Sequence, residues 1–301
     1  MCRLPLYAHC CGNTFGGLGA RAAGRFGATS SRFGDGRLLL QRDSGIVVGV
    51  WPEHACAVGD LWSHLNEITG LISNWYASVK AREGCLLMHA SAVSYEGQGV
   101  AIGGKSGAGK STSALHLVEA GFRFLSNDRV LARAGADGVD AWGYPNRPGV
   151  NPGTVLHHPR FADMLSPADQ EALRALPQHE LWALERKMHP DLDAVYGPGT
   201  VQLESRLRGL VMLGWQLDGD ATRVRLLDAD EAMSRRAMFR SSLKTFDLQR
   251  PLGAPPSPDE DARWAELLER LTIVEISGRV NFPFLVDAVR DLLGRPRRPA
   301  A

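Results

Sequence analysis

The spacing of apolar residues marks a short strand followed by a helix near residue 100. Residues 100–102 (Val-Ala-Ile) form an apolar run that ends in two glycines. Residues 113–120 then place apolar side chains at three- and four-residue spacing, and Gly121 follows them. This pattern predicts a buried strand, a glycine-rich turn and an amphipathic helix that is closed by a glycine.

The same periodicities predict most of the remaining elements. Asp60 and Ser166 precede two of the predicted helices as N-cap residues, and residues 277–279 are predicted to form a turn. The predicted strands are 37–40, 45–51, 85–93, 122–131, 207–215, 222–227 and 272–276, and the predicted helices are 61–79, 167–176, 180–187, 228–239, 261–271 and 284–293.

Three segments lack a regular period. Residues 1–36 are rich in Gly, Ala, Arg and Ser and are predicted to be loosely ordered or marginally folded. Residues 135–159 are crowded with Gly, Pro and Asn, which is typical of a substrate loop. Residues 251–258 are rich in proline and predict a linker or a surface loop.

Residues 104–111 carry the phosphate-loop pattern G-x-x-x-x-G-K-[ST], in the strand–turn–helix context that the motif requires. Glycines allow backbone N–H groups to approach an anion, and the helix N-terminus adds partial positive charge. Lys110 is expected to reach the β- and γ-phosphates of a nucleotide, and Ser111 to offer its hydroxyl to Mg²⁺. The alternative is a glycine turn that merely joins a strand to a helix. The predicted nucleotide-binding residues are Gly104, Lys105, Ser106, Gly107, Ala108, Gly109, Lys110, Ser111 and Thr112.

Asp128 interrupts the strand that is predicted after this helix. A phosphate-loop enzyme holds Mg²⁺ with a carboxylate opposite the serine hydroxyl, so Asp128 and Ser111 are the predicted metal ligands. A helix cap or a turn is the alternative role for Asp128.

Composition narrows the possible partners. The 301 residues are 44% hydrophobic and 22% charged, and the net charge of +1 does not favour a nucleic-acid or membrane partner. The sequence has no apolar run of the length that a spanning helix needs and no signal-peptide pattern. Five cysteines without a C-x-x-C pair indicate reduced thiols. We therefore expect a cytoplasmic protein.

Residues 88–130 resemble the HPr kinase/phosphorylase family, whose relatives include phosphoenolpyruvate carboxykinase. The likeness rests on Met88-His89-Ala90, on the loop at 104–111 and on Leu125-Ser126-Asn127-Asp128, where the family has a strand that ends in Asp-Asp. An ABC-type ATPase is not favoured, because the chain lacks an L-S-G-G-Q helix start and a Walker B motif that ends in Asp-Glu. Further segments, at 150–154, 181–187, 196–199, 213–215 and 274–280, are similar to the HPr kinase-related kinase B group.

The resemblance covers about residues 60–295 and implies a fold and a division into domains. The implied fold is α/β, a phosphate-loop kinase core of the HPr kinase and phosphoenolpyruvate carboxykinase type, in which helices flank a mixed sheet. Residues 1–59 are predicted to be a partly disordered N-terminal extension, residues 60–295 the ATP-binding domain, and residues 296–301 a disordered basic tail.

The resemblance also implies catalytic roles for Asp128, Asn127, His89, Lys110 and Arg279. Asn127 stands where the family has a general base, and an amide has no usable basicity near neutral pH, so it is expected to orient a substrate instead. His89 is expected near the γ-phosphate, or else to be a strand histidine bonded to backbone. Arg279 is expected to clamp a phosphate, or else to be a surface arginine in a turn.

The implied activity is that of an ATP- and Mg²⁺-dependent kinase that phosphorylates a hydroxyl on an unidentified protein or small molecule. Homo-oligomers are compatible with this reading. The alternative, which Asn127 favours, is a nucleotide-binding regulatory or scaffold protein with little phosphotransfer. The tryptophans Trp142, Trp182 and Trp215 are predicted to be core residues rather than a platform for stacking a base.

Overall fold

The computed structural model describes residues 7–8, 21–23, 28–144, 147–243 and 258–294. Within this part of the chain, two compact units are distinguished. One contains the described residues up to Cys85 together with residues 242–243, and the other contains residues 86–241 and 258–294. No helix in the described residues is long and apolar enough to cross a membrane.

The first unit contains a sheet and a helix. The described strands follow the order β1-β6-β5-β4-β3-β2, in which β1 and β6 are parallel and the other neighbours are antiparallel. Its elements are β1 (Tyr7–Ala8), β2 (Arg21–Ala23), β3 (Ala28–Phe33), β4 (Gly36–Gln41), β5 (Val47–Val50), β6 (Ala55–Val58) and α1 (Leu65–Arg82).

Helix α1 belongs to this first unit. Its residues Leu71 and Trp75 are buried in one cluster with Val48 and Val50 of β5, and the Trp75 indole donates to the carbonyl oxygen of Trp51 at 3.1 Å. The predicted domain boundary between residues 59 and 60 therefore differs from the boundary of the compact unit, because the apolar face of the helix packs on the N-terminal sheet.

Several predictions for the chain termini and linkers lie outside the described residues. These include most of the loosely ordered segment 1–36, the proline-rich segment as far as residue 257, and the basic tail 296–301. In the described part of the first of these segments, β3 pairs with β4 across a turn that begins with Gly34 at φ 62°.

The second unit is built on a mixed sheet of described strands in the order β10-β8-β9-β13-β12-β11-β7, with β15 beside β13 and β14 beside β15. The strands are β7 (Leu86–Met88), β8 (Ala90–Tyr95), β9 (Gln98–Gly104), β10 (Arg123–Ser126), β11 (Val130–Gly135), β12 (Gly138–Gly143), β13 (Glu204–Gln216), β14 (Arg223–Leu227) and β15 (Thr272–Arg279).

Helices flank this sheet on both faces. The described helices are α2 (Lys110–Glu119), α3 (Pro152–His157), α4 (Pro167–Arg174), α5 (Gln178–Ala183), α6 (Leu192–Tyr196), α7 (Ala229–Ser234), α8 (Pro258–Glu269) and α9 (Phe282–Leu292), with 3₁₀ turns at Ala162–Met164 and Arg236–Met238.

Strand β9 lies inside the sheet, and its C-terminal end leads directly into the phosphate loop. It pairs antiparallel with β8 and parallel with β13, so the predicted hairpin before the loop is confirmed. Val100 and Ile102 are buried in one cluster with residues of α2 and α9, whereas Ala101 is buried in another with residues of α8. Both faces of β9 are covered, which explains its nearly continuous apolar sequence.

Two predicted strands are each divided by a break. The strand predicted at 85–93 is interrupted at His89, whose amide nitrogen donates to the carbonyl oxygen of Phe239 at 2.6 Å. The strand predicted at 122–131 is interrupted at residues 127–129, because Asp128 has φ 62° and cannot continue an extended strand. Both breaks place polar side chains next to the phosphate loop.

Two further predictions are wrong in their bounds. The helix predicted at 180–187 ends at Ala183, and Leu184 is extended with φ −71° and ψ 108°. The turn predicted at 277–279 is part of β15, because Ser277 and Arg279 remain in register with β13. The helix predicted at 167–176 is present, and Ser166 caps it by accepting a hydrogen bond from the amide of Asp169 at 3.1 Å.

Candidate nucleotide-binding site

The phosphate loop is a tight turn between β9 and α2. The amide of Ala108 donates to the carbonyl oxygen of Lys105 at 3.1 Å, and the amide of Ser113 donates to the carbonyl oxygen of Gly109 at 2.8 Å. Gly109 has φ 84° directly before the helix, a left-handed conformation that disfavours residues with a Cβ atom. The glycine spacing of the motif is therefore required by the backbone of the turn.

Lys110 turns back over this loop. Its Nζ donates to the carbonyl oxygens of Gly104 at 3.0 Å and of Lys105 at 3.2 Å, and the residue is 6% exposed. Burial lowers the pKa of Lys110, while the Asp128 carboxylate acts in the opposite direction. The ammonium group is held at the mouth of the loop by carbonyl groups that anions could replace as partners.

A cavity of about 370 Å³ opens in front of the loop. This volume lies within the range of small-molecule sites. Residues 106–112 line it, as do His89 and Asp128. Gly104 and Lys105 do not line it, and they contribute instead the two carbonyl groups that hold Lys110. The geometry thus brings together most of the residues that the motif predicted.

The turn that carries Asp128 is fixed by Ser126. The Ser126 hydroxyl donates to the carbonyl oxygen of Arg129 and accepts from the amide of Tyr144 at 3.0 Å. These contacts hold Asp128 in its left-handed conformation, which aspartate tolerates better than most residues do. The carboxylate is exposed and lines the cavity that Lys110 and Ser111 also line.

His89 lines the cavity at the break between β7 and β8. Burial lowers the pKa of His89, and the charges of Lys110 and Arg129 lower it further, while Asp128 acts against them. The imidazole is therefore neutral at neutral pH and can donate one hydrogen bond and accept another.

Asn127 lies beside the cavity and does not line it. Its Oδ1 atom accepts a hydrogen bond from the hydroxyl of Ser91 on β8 at 2.9 Å. This bond ties the turn at 127–129 to the sheet. The orienting role that was predicted for Asn127 toward a substrate stays a prediction.

Arg279 does not line this cavity, although the next residue, Val280, does. It is exposed at the end of β15, where its Nε donates to the carbonyl oxygen of Gly219 at 3.3 Å, and it lines a separate surface depression with Asn281 and Phe284. Arg279 therefore shares no described cavity with Lys110, His89 and Asp128, and its predicted role as a phosphate clamp stays a prediction.

Aromatic side chains form one wall of the loop cavity. Trp215 of β13 donates from its indole to the carbonyl oxygen of Ala108 at 2.8 Å. Its ring contacts Phe282 edge-on at 5.3 Å, and Phe282 stacks on His116 of α2 at 4.0 Å between centroids. Burial, and then the neighbouring His158, lowers the pKa of His116 to about 4. This imidazole is therefore uncharged near neutral pH.

Other residues that line the cavity were not predicted as site residues from the sequence. Trp182 was predicted to be a core residue, but it is 43% exposed and lines the cavity with Glu185 and Lys187. Thr154 of α3 also lines the cavity, and its hydroxyl is 2.8 Å from that of Thr112. Two signals in the sequence pointed to these segments, the glycine- and proline-rich composition of 135–159 and the similarity of 150–154 and 181–187 to the kinase B group, but neither identified the side chains that line the cavity.

No preassembled metal cage is present in the described part of the chain. No group of three or more His, Cys, Asp or Glu side chains there is arranged to hold a metal ion. Ser111 and Asp128 both line the loop cavity and offer one hydroxyl and one carboxylate. This donor set suits Mg²⁺, which takes one or two protein oxygens together with phosphate oxygens and water.

The chain was also compared with known proteins. No protein-family model and no curated protein matches it. A solved structure of the Hpr(Ser) kinase/phosphatase from Coxiella burnetii is similar, with 12% sequence identity and a TM-score of 0.33, over 69% of this chain and 93% of that chain. This likeness is distant, so the resemblance to HPr kinases stays a prediction and the function is argued from the site itself.

Proposed function

We propose that this chain binds ATP with Mg²⁺ at the loop cavity and transfers the γ-phosphate to a hydroxyl group of a protein or small molecule. The observation that carries the proposal is the convergence of Lys110, Ser111 and Asp128 on one cavity at the end of β9. A buried ammonium, a hydroxyl and a carboxylate in this arrangement match the needs of a triphosphate and its divalent cation.

In the proposed reaction, four side chains and the backbone amides of the loop have separate roles. Lys110 would replace its carbonyl partners with β- and γ-phosphate oxygens, and backbone amides of the loop would donate to the same oxygens. Mg²⁺, held by Ser111 and Asp128, would neutralise charge on the phosphates. His89, uncharged at neutral pH, would donate a hydrogen bond to the γ-phosphate or to the acceptor hydroxyl.

Asn127 favours a second function, that of a nucleotide-binding regulator. The side chain at that position has no basic atom, and its amide oxygen is already bonded to Ser91. Phosphoryl transfer depends mainly on positioning and charge neutralisation, so loss of a base slows the reaction without abolishing it. We therefore prefer the kinase, and turnover decides between the two.

The test compares Lys110→Met with Lys80→Met in the full chain by calorimetry with Mg-ATP. Met preserves the aliphatic stem of either lysine, and circular dichroism checks the fold. Lys110→Met should weaken ATP binding by about 10–100-fold, because a charge-assisted contact is lost. Lys80→Met should have a much smaller effect, because Lys80 lies on α1 in the first unit and does not line the cavity.

Turnover is measured as the transfer of labelled phosphate from γ-labelled ATP to components of a cell lysate, and Lys110→Met serves as the inactive control. Label that depends on Lys110 supports the kinase. Tight ATP binding without label or ADP formation above the inactive control supports the regulator. Equal ATP affinity in wild type and Lys110→Met contradicts both functions.

A further inference from the structure

Residues 184–188 form an extended segment that contributes to the lining of the loop cavity. The segment follows α5 and is fixed at Met188, which exchanges two backbone hydrogen bonds with Val150, at 2.9 and 2.8 Å. Side chains two residues apart lie on the same side of an extended chain. Glu185 and Lys187 accordingly both line the cavity.

The stem of Lys187 lies against backbone. A Cβ atom on Gly149 would be 3.3 Å from Cδ of Lys187 and 3.3 Å from Cε1 of His189. A residue larger than glycine at position 149 would displace this stem. Gly149 lines the same cavity, so it gives Lys187 room to extend along the wall.

Lys187 is a cation without a fixed partner in the described residues. It forms neither an ion pair nor a hydrogen bond with any of them, and Glu185 does not pair with it. The neighbouring Arg186 contrasts with it, because its guanidinium is 4.0 Å from the Asp169 carboxylate and the residue does not line the cavity.

Lys187 and Lys110 both line the loop cavity. Two cations that face one space repel each other until an anion lies between them. Lys110 would bind the β- and γ-phosphates of a nucleoside triphosphate. Thr112 lies two residues further along α2, where its hydroxyl is 2.8 Å from that of Thr154.

We propose that Lys187 contacts the terminal phosphate of the bound nucleoside triphosphate, as a second cation besides Lys110. This inference rests on the proposed function. In the transfer, the bond between the γ-phosphorus and the bridging oxygen breaks, and its electron pair stays with ADP. The acceptor oxygen forms the new bond to phosphorus, and its proton passes to solvent. Lys187 donates hydrogen bonds to the γ-oxygens throughout and gives up no proton.

The experiment separates the terminal phosphate from the rest of the nucleotide. Calorimetry of the full chain measures the affinities for Mg-ATP and Mg-ADP in Lys187→Met, Lys187→Arg and, as the matched control, Arg186→Met. We expect Lys187→Met to weaken ATP binding by about tenfold or more and to leave ADP affinity within about twofold. Lys187→Arg should restore most of the ATP affinity, and Arg186→Met should match wild type for both nucleotides.

Equal losses for ATP and ADP in Lys187→Met would overturn the inference, because they would indicate contact with the inner phosphates or a structural defect. Unchanged affinity for both would overturn it as well. If Lys110→Met loses ATP while Lys187→Met does not, the inference alone fails and the proposed function stands. If the wild-type chain does not bind ATP, both fail.

Discussion

At the scale of single residues, the conformation of Asp128 decides where its carboxylate points. The residue has φ 62° in the turn that Ser126 closes, and it is exposed to the cavity. The motif and the position of Asp128 after it are enough to predict Asp128 as the acidic residue that acts with the phosphate loop. The left-handed backbone depends on the contacts of Ser126 with Arg129 and Tyr144, which lie beyond any local pattern.

Replacing Asp128 with Asn should change metal use rather than folding. Asparagine also tolerates the left-handed region, so the turn is retained. An amide is a poorer ligand for Mg²⁺, so the Mg²⁺ concentration that half-saturates ATP binding should rise by about tenfold. A Mg²⁺ titration at fixed ATP measures it. Asp137→Asn, in the exposed turn between β11 and β12, is the control. Loss of activity at unchanged Mg²⁺ dependence would instead assign Asp128 a basic or structural role.

At the scale of elements, the end of α5 explains why one wall of the site was not predicted. The spacing at 180–187 indicated a helix, and on a helix Glu185 and Lys187 would point about 200° apart. The helix ends at Ala183, and the extended chain that follows turns both side chains toward the cavity. The backbone pairing of Met188 with Val150 fixes this geometry, and a pairing across that sequence distance has no local signature.

Strand β13 acts on the phosphate loop through Trp215. The indole donates to the carbonyl oxygen of Ala108 at 2.8 Å, which restrains the loop next to Gly109. Trp215→Phe preserves an aromatic ring beside Phe282 and removes the donor. ATP affinity should fall by about three- to tenfold, the usual effect of losing one neutral hydrogen bond. Calorimetry measures the loss, with Trp142→Phe on β12 as the control outside the cavity. Equal affinities in the two variants would mean that this bond does not restrain the loop.

At the scale of the whole molecule, the site is assembled from segments that are distant in sequence. The hairpin of β8 and β9 was predicted because its strands are adjacent in the chain. The parallel pairing of β9 with β13 joins segments that are more distant in the sequence, and no turn or spacing indicates it. The packing of α1 on the N-terminal sheet was missed for a similar reason. An amphipathic helix shows which face is buried and not which sheet covers that face.

This arrangement of the site predicts which segments nucleotide binding protects from amide hydrogen exchange. All residues that line the loop cavity belong to the second unit. They come from the strand breaks at His89 and Asp128, from the phosphate loop and α2, from residues 149–157 and 181–187, from β13, and from residues 280–282 at the start of α9. A ligand that contacts all of these segments is released when any of them opens, so it should slow amide exchange in each of them. Residues 36–58 and α1 contribute nothing to the cavity and should exchange at unchanged rates.

Hydrogen exchange with mass spectrometry, on the full chain with and without saturating Mg-ATP, measures this pattern. Lys110→Met at the same ATP concentration is the control, since it should show little slowing in any segment. Slowing that is confined to the phosphate loop would mean that the wall at 181–187 does not contact the nucleotide. Slowing of similar size at residues 36–82 would show that binding reorganises the first unit, and the site could then no longer be attributed to the second unit alone.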